Sequence, residues 1–111
     1  MISVVNVKKE SCTHFCGRAS SYIPSEHGVD LTVLGNPFKT KNFPREDCIE
    51  MYGEYLWGMY NRNETSIMDV MLLLYNEKDE KRLGCFCKPR RCHCDYILEI
   101  YDDFCFKKLC Y

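Results

Sequence analysis

The chain has 111 residues, of which 46% are hydrophobic, and a formal net charge of −1. That length suits one domain with its own core, and the hydrophobic share excludes a mostly disordered chain. The near-zero charge excludes bulk attraction to nucleic acid or to a membrane surface, so a charged ligand has to be met by a local patch.

Nine cysteines is a high count, and an odd number cannot all pair within one chain. The first ten residues lack the charged, apolar and small-residue order of a signal peptide. No apolar run approaches the roughly 20 residues that span a bilayer. The expectation is a reducing, cytoplasmic setting without intrachain disulfides. Most of the cysteines then read as small buried hydrophobes.

Residues 2–7, Ile-Ser-Val-Val-Asn-Val, are β-branched and predict a buried strand, with Asn6 at its end as a candidate ligand contact. Residues 8–30 are loop-like, with short strands expected at 13–16 and 31–34. Cys12, His14 and Cys16 alternate as metal ligands can, but alternation is also what any strand shows, and a half-buried edge strand is the simpler reading. Gly35-Asn36-Pro37-Phe38 predicts a turn with Phe38 turned into the core.

A helix is expected over residues 44–60. Pro44, Glu46 and Asp47 suit its start, and Ile49, Tyr52, Leu56 and Met59 form a core stripe that Cys48 and Tyr55 widen. A second helix is expected over 66–76, with Ser66 and Asp69 resembling a capping box and Ile67, Val70, Met71, Leu74 and Tyr75 buried. A strand over 83–87 and a turn at 88–91 lead into a third helix from about Cys92 to Phe106. Its apolar face carries Cys94, Ile97, Leu98, Tyr101 and Cys105, and residues 104–111 read as a tail. The order predicts a single α/β domain: a small, mostly parallel sheet with helices packed on it in a Rossmann-like three-layer arrangement, with α+β as the alternative.

Residues 82–95 concentrate the chemistry. Lys81, Arg82, Lys88, Arg90 and Arg91 fall in eleven residues without an acid, on a turn between a strand and a helix start. Such an edge suits phosphate, because free N–H groups and the helix dipole converge there. Asn6, Arg18, Ser20, Asn36, Lys88, Arg90 and His93 are the candidate lining of a nucleotide- or phosphate-binding crevice. A catalytic reading puts Cys92, with a thiol acidified by the helix start and by Arg90 and Arg91, beside His93 and Asp95. The plainer reading makes Cys92 a cap and has His93 bond the backbone. A zinc site of Cys85, Cys87, Cys92 and His93 has the right donors, but its spacing matches no standard site, and no bound metal is expected. A deaminase-type centre would need His-x-Glu and Pro-Cys-x-x-Cys, which the chain lacks. The competing class is a non-enzymatic protein that self-associates through exposed aromatic surface.

Val4-Val5-Asn6, Gly17-Arg18-x-Ser20, Gly35-Asn36-Pro37-Phe38, Arg45-Glu46 and Cys85-x-Cys87-Lys-Pro-x-x-Cys92-His93-x-Asp95 occur in an order that resembles a family of small uncharacterised domains. The family is common in bacteriophages and occurs in bacteria and large DNA viruses, so the resemblance implies a viral protein in the host cytoplasm. It implies no particular activity. The chain departs from the pattern in a longer segment between Ser20 and Gly35, which has the length to cover a site, in Cys94 where Gly is usual, and in its last residues.

Overall fold

The computed structural model describes residues 2–86 and 91–110, the side chain of Cys110 excepted. Four parallel strands form one sheet in the order β1-β4-β2-β3: β1 (Ile2–Asn6), β2 (His14–Phe15), β3 (Val29–Asp30) and β4 (Lys81–Cys85). The helices are α1 (Pro24–His27), α2 (Arg45–Asn61), α3 (Thr65–Asn76) and α4 (His93–Cys110), with 3₁₀ turns at Ala19–Ser21 and Thr32–Leu34. This is the expected α/β class. The first strand pairs in parallel with the strand after the second long helix, with Val4 opposite Leu83.

The alternation of side chains along a strand divides the core. Ile2, Val4, Leu83 and Cys85 face the large cluster to which α2, α3 and α4 contribute Tyr52, Leu56, Met71, Leu74, Ile97 and Ile100. Val5 and Phe15 face the other way, into a smaller cluster with Cys12, Val7 and Tyr22. There α1 lays His27 on the Phe15 ring, stacked at 4.4 Å between centroids. The sheet is covered on both faces, thickly on one and thinly on the other.

One glycine lets the chain cross itself. Residues 7–13 carry it from β1 to β2 over the intervening β4, and they pass at Gly84. A Cβ there would lie 2.6 Å from Cys12 Sγ and from Val7 Cγ1, and 2.7 Å from Cys12 Cβ. A side chain at this point would hold the crossing off the sheet.

Several local expectations differ from the structure. The second strand is no edge: β2 lies between β4 and β3, with His14 and Phe15 buried. Cys12 and Cys16 fall in different clusters, so Cys12, His14 and Cys16 do not form one ligand set. The third strand is Val29–Asp30, and the expected strand over 31–34 is a 3₁₀ turn that buries Leu31 and Leu34. Ser66 does not cap α3, which starts one residue earlier without a side-chain cap. Tyr55 and Tyr75 are about 40% exposed, and each packs edge-on against a ring, Phe38 and Phe104 respectively. The last helix runs on to Cys110 and absorbs most of the expected tail.

At the amino end of the strands a polar cluster lies under the core. His14 is 2% exposed; its Nε2 pairs with Glu77 at 3.0 Å and its Nδ1 with Thr13 Oγ1 at 2.7 Å. Buried Lys81 donates from Nζ to the carbonyl of Glu77 at 2.8 Å. Removing the Glu77 side chain strands a buried imidazole nitrogen, so Glu77→Ala should lose about 1–3 kcal/mol by urea denaturation. Glu77→Gln, which keeps an oxygen within reach, should lose less. Equal losses would mean that the carboxylate charge, and not the bond to His14, carries the contribution.

Candidate functional site: a crevice at the carboxyl ends of the strands

The segments that follow three neighbouring strands meet in one crevice of about 180 Å³. Gly17, Arg18 and Ser21 come after β2. Asn36, Phe38 and Thr40 come after β3, Phe86 and His93 after β4, and Arg45, Cys48 and Ile49 from the first turn of α2. The motif glycines account for part of this meeting. A Cβ on Gly35 would lie 2.8 Å from the carbonyl oxygen of Gly17, so the two loops can touch only without one.

Each wall is tied down. Asn36 accepts the N–H of Phe38 on its own Oδ1 at 2.9 Å, closing a side-chain turn, and reaches the Cys48 carbonyl from Nδ2 at 3.4 Å. Arg18 donates from Nε to the carbonyl of Asn36 at 3.2 Å and from a terminal nitrogen to that of Phe38 at 3.1 Å. Arg45 donates to the carbonyl of Arg91 at 2.7 Å. Both guanidiniums are thus braced by carbonyls, and neither forms an ion pair with a carboxylate among the described residues. Arg91 itself lies over the Tyr96 ring at 4.7 Å, with Glu99 at 3.9 Å.

His93 donates from Nε2 to the carbonyl of Cys16 at 2.7 Å, and its ring meets Tyr52 edge-on at 5.3 Å. Burial pushes the imidazole below its ordinary pKa, and the charge of Arg18 adds to this. Asp95 accepts the Cys92 N–H on Oδ2 at 2.9 Å, the returning half of a capping box.

Of the expected lining, Arg18, Asn36 and His93 are brought together here. Ser20 sits exposed in its 3₁₀ turn, and it is Ser21 that lines the crevice. Asn6 ends β1, accepting the N–H of Lys8 on Oδ1 at 2.9 Å, and is not in the lining. Lys88, Arg90 and Cys87 lie outside the described residues. Arg45 and Phe86 were not among the expected contacts, although the Arg45-Glu46 pair opening a helix was a usable signal. Cys92 does not have the acidified thiol expected of a nucleophile. It is fully buried with its Sγ 3.3 Å from that of Cys85, and this thiol–thiol hydrogen bond and burial both push its pKa up. The longer segment between Ser20 and Gly35 does not roof the crevice. Among the described residues it supplies Ser21 to the lining, and otherwise it adds β3 to the sheet and Leu31 and Leu34 to the core.

A larger depression of about 510 Å³ lies between the ends of the long helices, lined by Tyr60, Asn61, Asn63, Met68, Phe104, Lys107 and Lys108. It gathers none of the motifs and no strand end, so the smaller crevice is the better site. Among the described residues no helix is long and apolar enough to cross a membrane.

The fold and the crevice define the class: a parallel α/β domain whose loops converge at the carboxyl edge of its sheet, where such sheets hold ligands. Within that class the chain belongs to the family described as a domain of unknown function, DUF4326, whose profile matches residues 5–103. No curated protein and no solved structure matches it.

Proposed function

We propose that this crevice binds the phosphate of a small phosphorylated ligand, a nucleotide or nucleoside phosphate, with Arg18 and Arg45 as its cationic contacts. The observation that supports this most is the placement of two carbonyl-braced guanidiniums at the carboxyl edge of a parallel sheet. Arg grips phosphate through parallel N–H bonds, and a guanidinium already held in place loses little freedom on binding. The volume of about 180 Å³ suits a phosphate or sugar phosphate, with any base extending past Phe38 or Phe86, whose rings offer stacking faces. Lys88 and Arg90, which lie between Phe86 and Arg91 in sequence, add further cationic candidates.

Titration calorimetry with inorganic phosphate and a panel of mononucleotides tests this. One nucleotide class should bind, and Arg45→Gln and Arg18→Gln should each weaken it about tenfold or more, the size of one charged hydrogen bond. Their melting temperatures should stay close to that of the parent chain. If no phosphate compound binds and light scattering instead shows concentration-dependent association, the interaction reading replaces this one. Phe106 and Leu109, 65% and 82% exposed near the end of α4, would be the first surface to examine.

A further inference from the structure

Beneath the floor of the crevice four buried cysteines converge from three separate segments. Cys16 follows β2, Cys85 ends β4, and Cys92 and Cys94 flank the first residue of α4; all four are fully buried. The sulfurs of Cys85, Cys92 and Cys94 lie within 4.8 Å of one another, and the Cys85–Cys92 distance is 3.3 Å. Cys16 lies in the same buried cluster, close enough to bear on the Cys94 thiol, and is the nearest candidate for a fourth sulfur.

We propose that Cys16, Cys85, Cys92 and Cys94 form a structural zinc site. A tetrahedral centre with Zn–S bonds of about 2.3 Å has sulfurs about 3.8 Å apart, and those of Cys85, Cys92 and Cys94 already bracket that spacing. Sulfurs this close surround one ion and leave no room for a polynuclear cluster. The donor set is soft, and zinc among the common divalent ions suits four thiolates. On binding, each thiol gives its proton to solvent and the ion takes the sulfur lone pairs. The start of α4 lies against the site, and its free N–H groups favour the resulting negative charge.

Buried cysteines that serve only as small hydrophobes behave differently elsewhere in this chain. Cys12 directs its Sγ to the carbonyl of His27 at 3.3 Å, and Cys48 directs its own to that of Phe43 at 3.6 Å. Cys92 instead directs its thiol to the sulfur of Cys85, and Cys85, Cys92 and Cys94 hold their sulfurs together. The ligand set also differs from the one that the spacing of residues 85–93 suggests. His93 is occupied by the Cys16 carbonyl, while Cys94, which departs from the family pattern, and Cys16, far away in sequence, take part. The site would clamp the crevice, since Cys16 precedes Gly17-Arg18 and Cys92 and Cys94 enclose His93.

The test uses the whole chain, expressed with zinc in the medium and purified without chelator. Elemental analysis should find one zinc per chain. X-ray absorption at the zinc edge should show four sulfurs at about 2.3 Å. Cobalt exchanged into the site should give the intense bands of a tetrahedral thiolate centre. Cys94→Ser and Cys16→Ser should lose the tight ion, and Cys12→Ser, Cys48→Ser and Cys87→Ser should keep it. Because a ligand variant can fail to fold, the parent chain is also titrated with a chromophoric chelator, and removal of zinc should lower its melting temperature. Substoichiometric zinc with no effect of chelation overturns the proposal. So does a mixed sulfur and nitrogen shell, or loss of the ion in Cys87→Ser with retention in Cys16→Ser. None of these readouts depends on a phosphorylated ligand, so the crevice and the metal site stand or fall separately.

Discussion

Gly84→Val should prevent the domain from folding stably. The Cβ alone meets Cys12 and Val7 at 2.6 Å, and part of that contact is with Cys12 Cβ, which cannot rotate away. The crossing at residues 7–13 is also tied at both ends to β4 itself: Val7 N–H bonds the Cys85 carbonyl at 2.9 Å, and Thr13 N–H the Arg82 carbonyl at 2.9 Å. It cannot lift without losing these bonds. Overpacking typically costs about 1–3 kcal/mol and more where the backbone is fixed, so Gly84→Ala should lose at least that much and the valine more. For a domain whose whole stability is about 5–15 kcal/mol, the valine should leave little soluble folded protein. Combining Gly84→Ala with Cys12→Ala removes Sγ and should return part of the loss, a coupling that a double-mutant cycle reads directly. A near-neutral Gly84→Ala would show that the crossing moves freely.

Tyr52→Ala should cost about 3–5 kcal/mol, the range for truncating a buried aromatic ring. Tyr52 is fully buried in the middle of α2, within the cluster shared by α2, α3 and α4. Its hydroxyl donates to the Leu34 carbonyl at 2.6 Å, which fixes the 3₁₀ turn just before Gly35-Asn36. Tyr52→Phe keeps the ring and leaves the Leu34 carbonyl without that donor, so its loss should be about 1–3 kcal/mol. The phenylalanine variant should also weaken the crevice more than its stability suggests, because the loop carrying Asn36 loses its anchor. Chemical denaturation gives the first two quantities, and ligand titration on the phenylalanine variant gives the third. An alanine variant as stable as the phenylalanine variant would mean that the ring contributes little.

The long elements were legible because their signals are local. The β-branched run of β1, the stripe Ile49-Tyr52-Leu56-Met59 and the apolar alternation of β4 each need only a few neighbouring residues to be recognised. A mostly parallel sheet followed from the helices that join its strands. The crevice was partly legible for a different reason: motifs far apart in sequence are most simply explained by a common meeting place, and Arg18, Asn36 and His93 do meet.

What stayed hidden depends on the other side of a contact. Val29–Asp30 is a two-residue, exposed strand with no periodicity to detect. Whether Ser20 or Ser21 faces the crevice is set by one 3₁₀ turn. The helix start at Cys92 argues for an acidic thiol, but the hydrogen bond that this thiol donates to the facing Cys85, together with burial, outweighs it. The approach of Cys16 to Cys94 cannot be read from spacing at all, since it exists only once β2 lies beside β4.

The strand order also governs how the chain can assemble. β4 is the last strand in sequence, yet it pairs with both β1 and β2. Ile2 finds its partner only in Lys81, 79 positions on, so the amino-terminal strand has no place in the sheet until nearly the whole domain has been synthesised. Closing so long a loop carries an entropic cost before any reward, which makes for high contact order and slow folding. During synthesis β1 therefore emerges early and waits as an unpaired apolar segment. That interval is when the nascent chain is most open to chaperones and to aggregation, and it ends when residues 81–85 clear the ribosome.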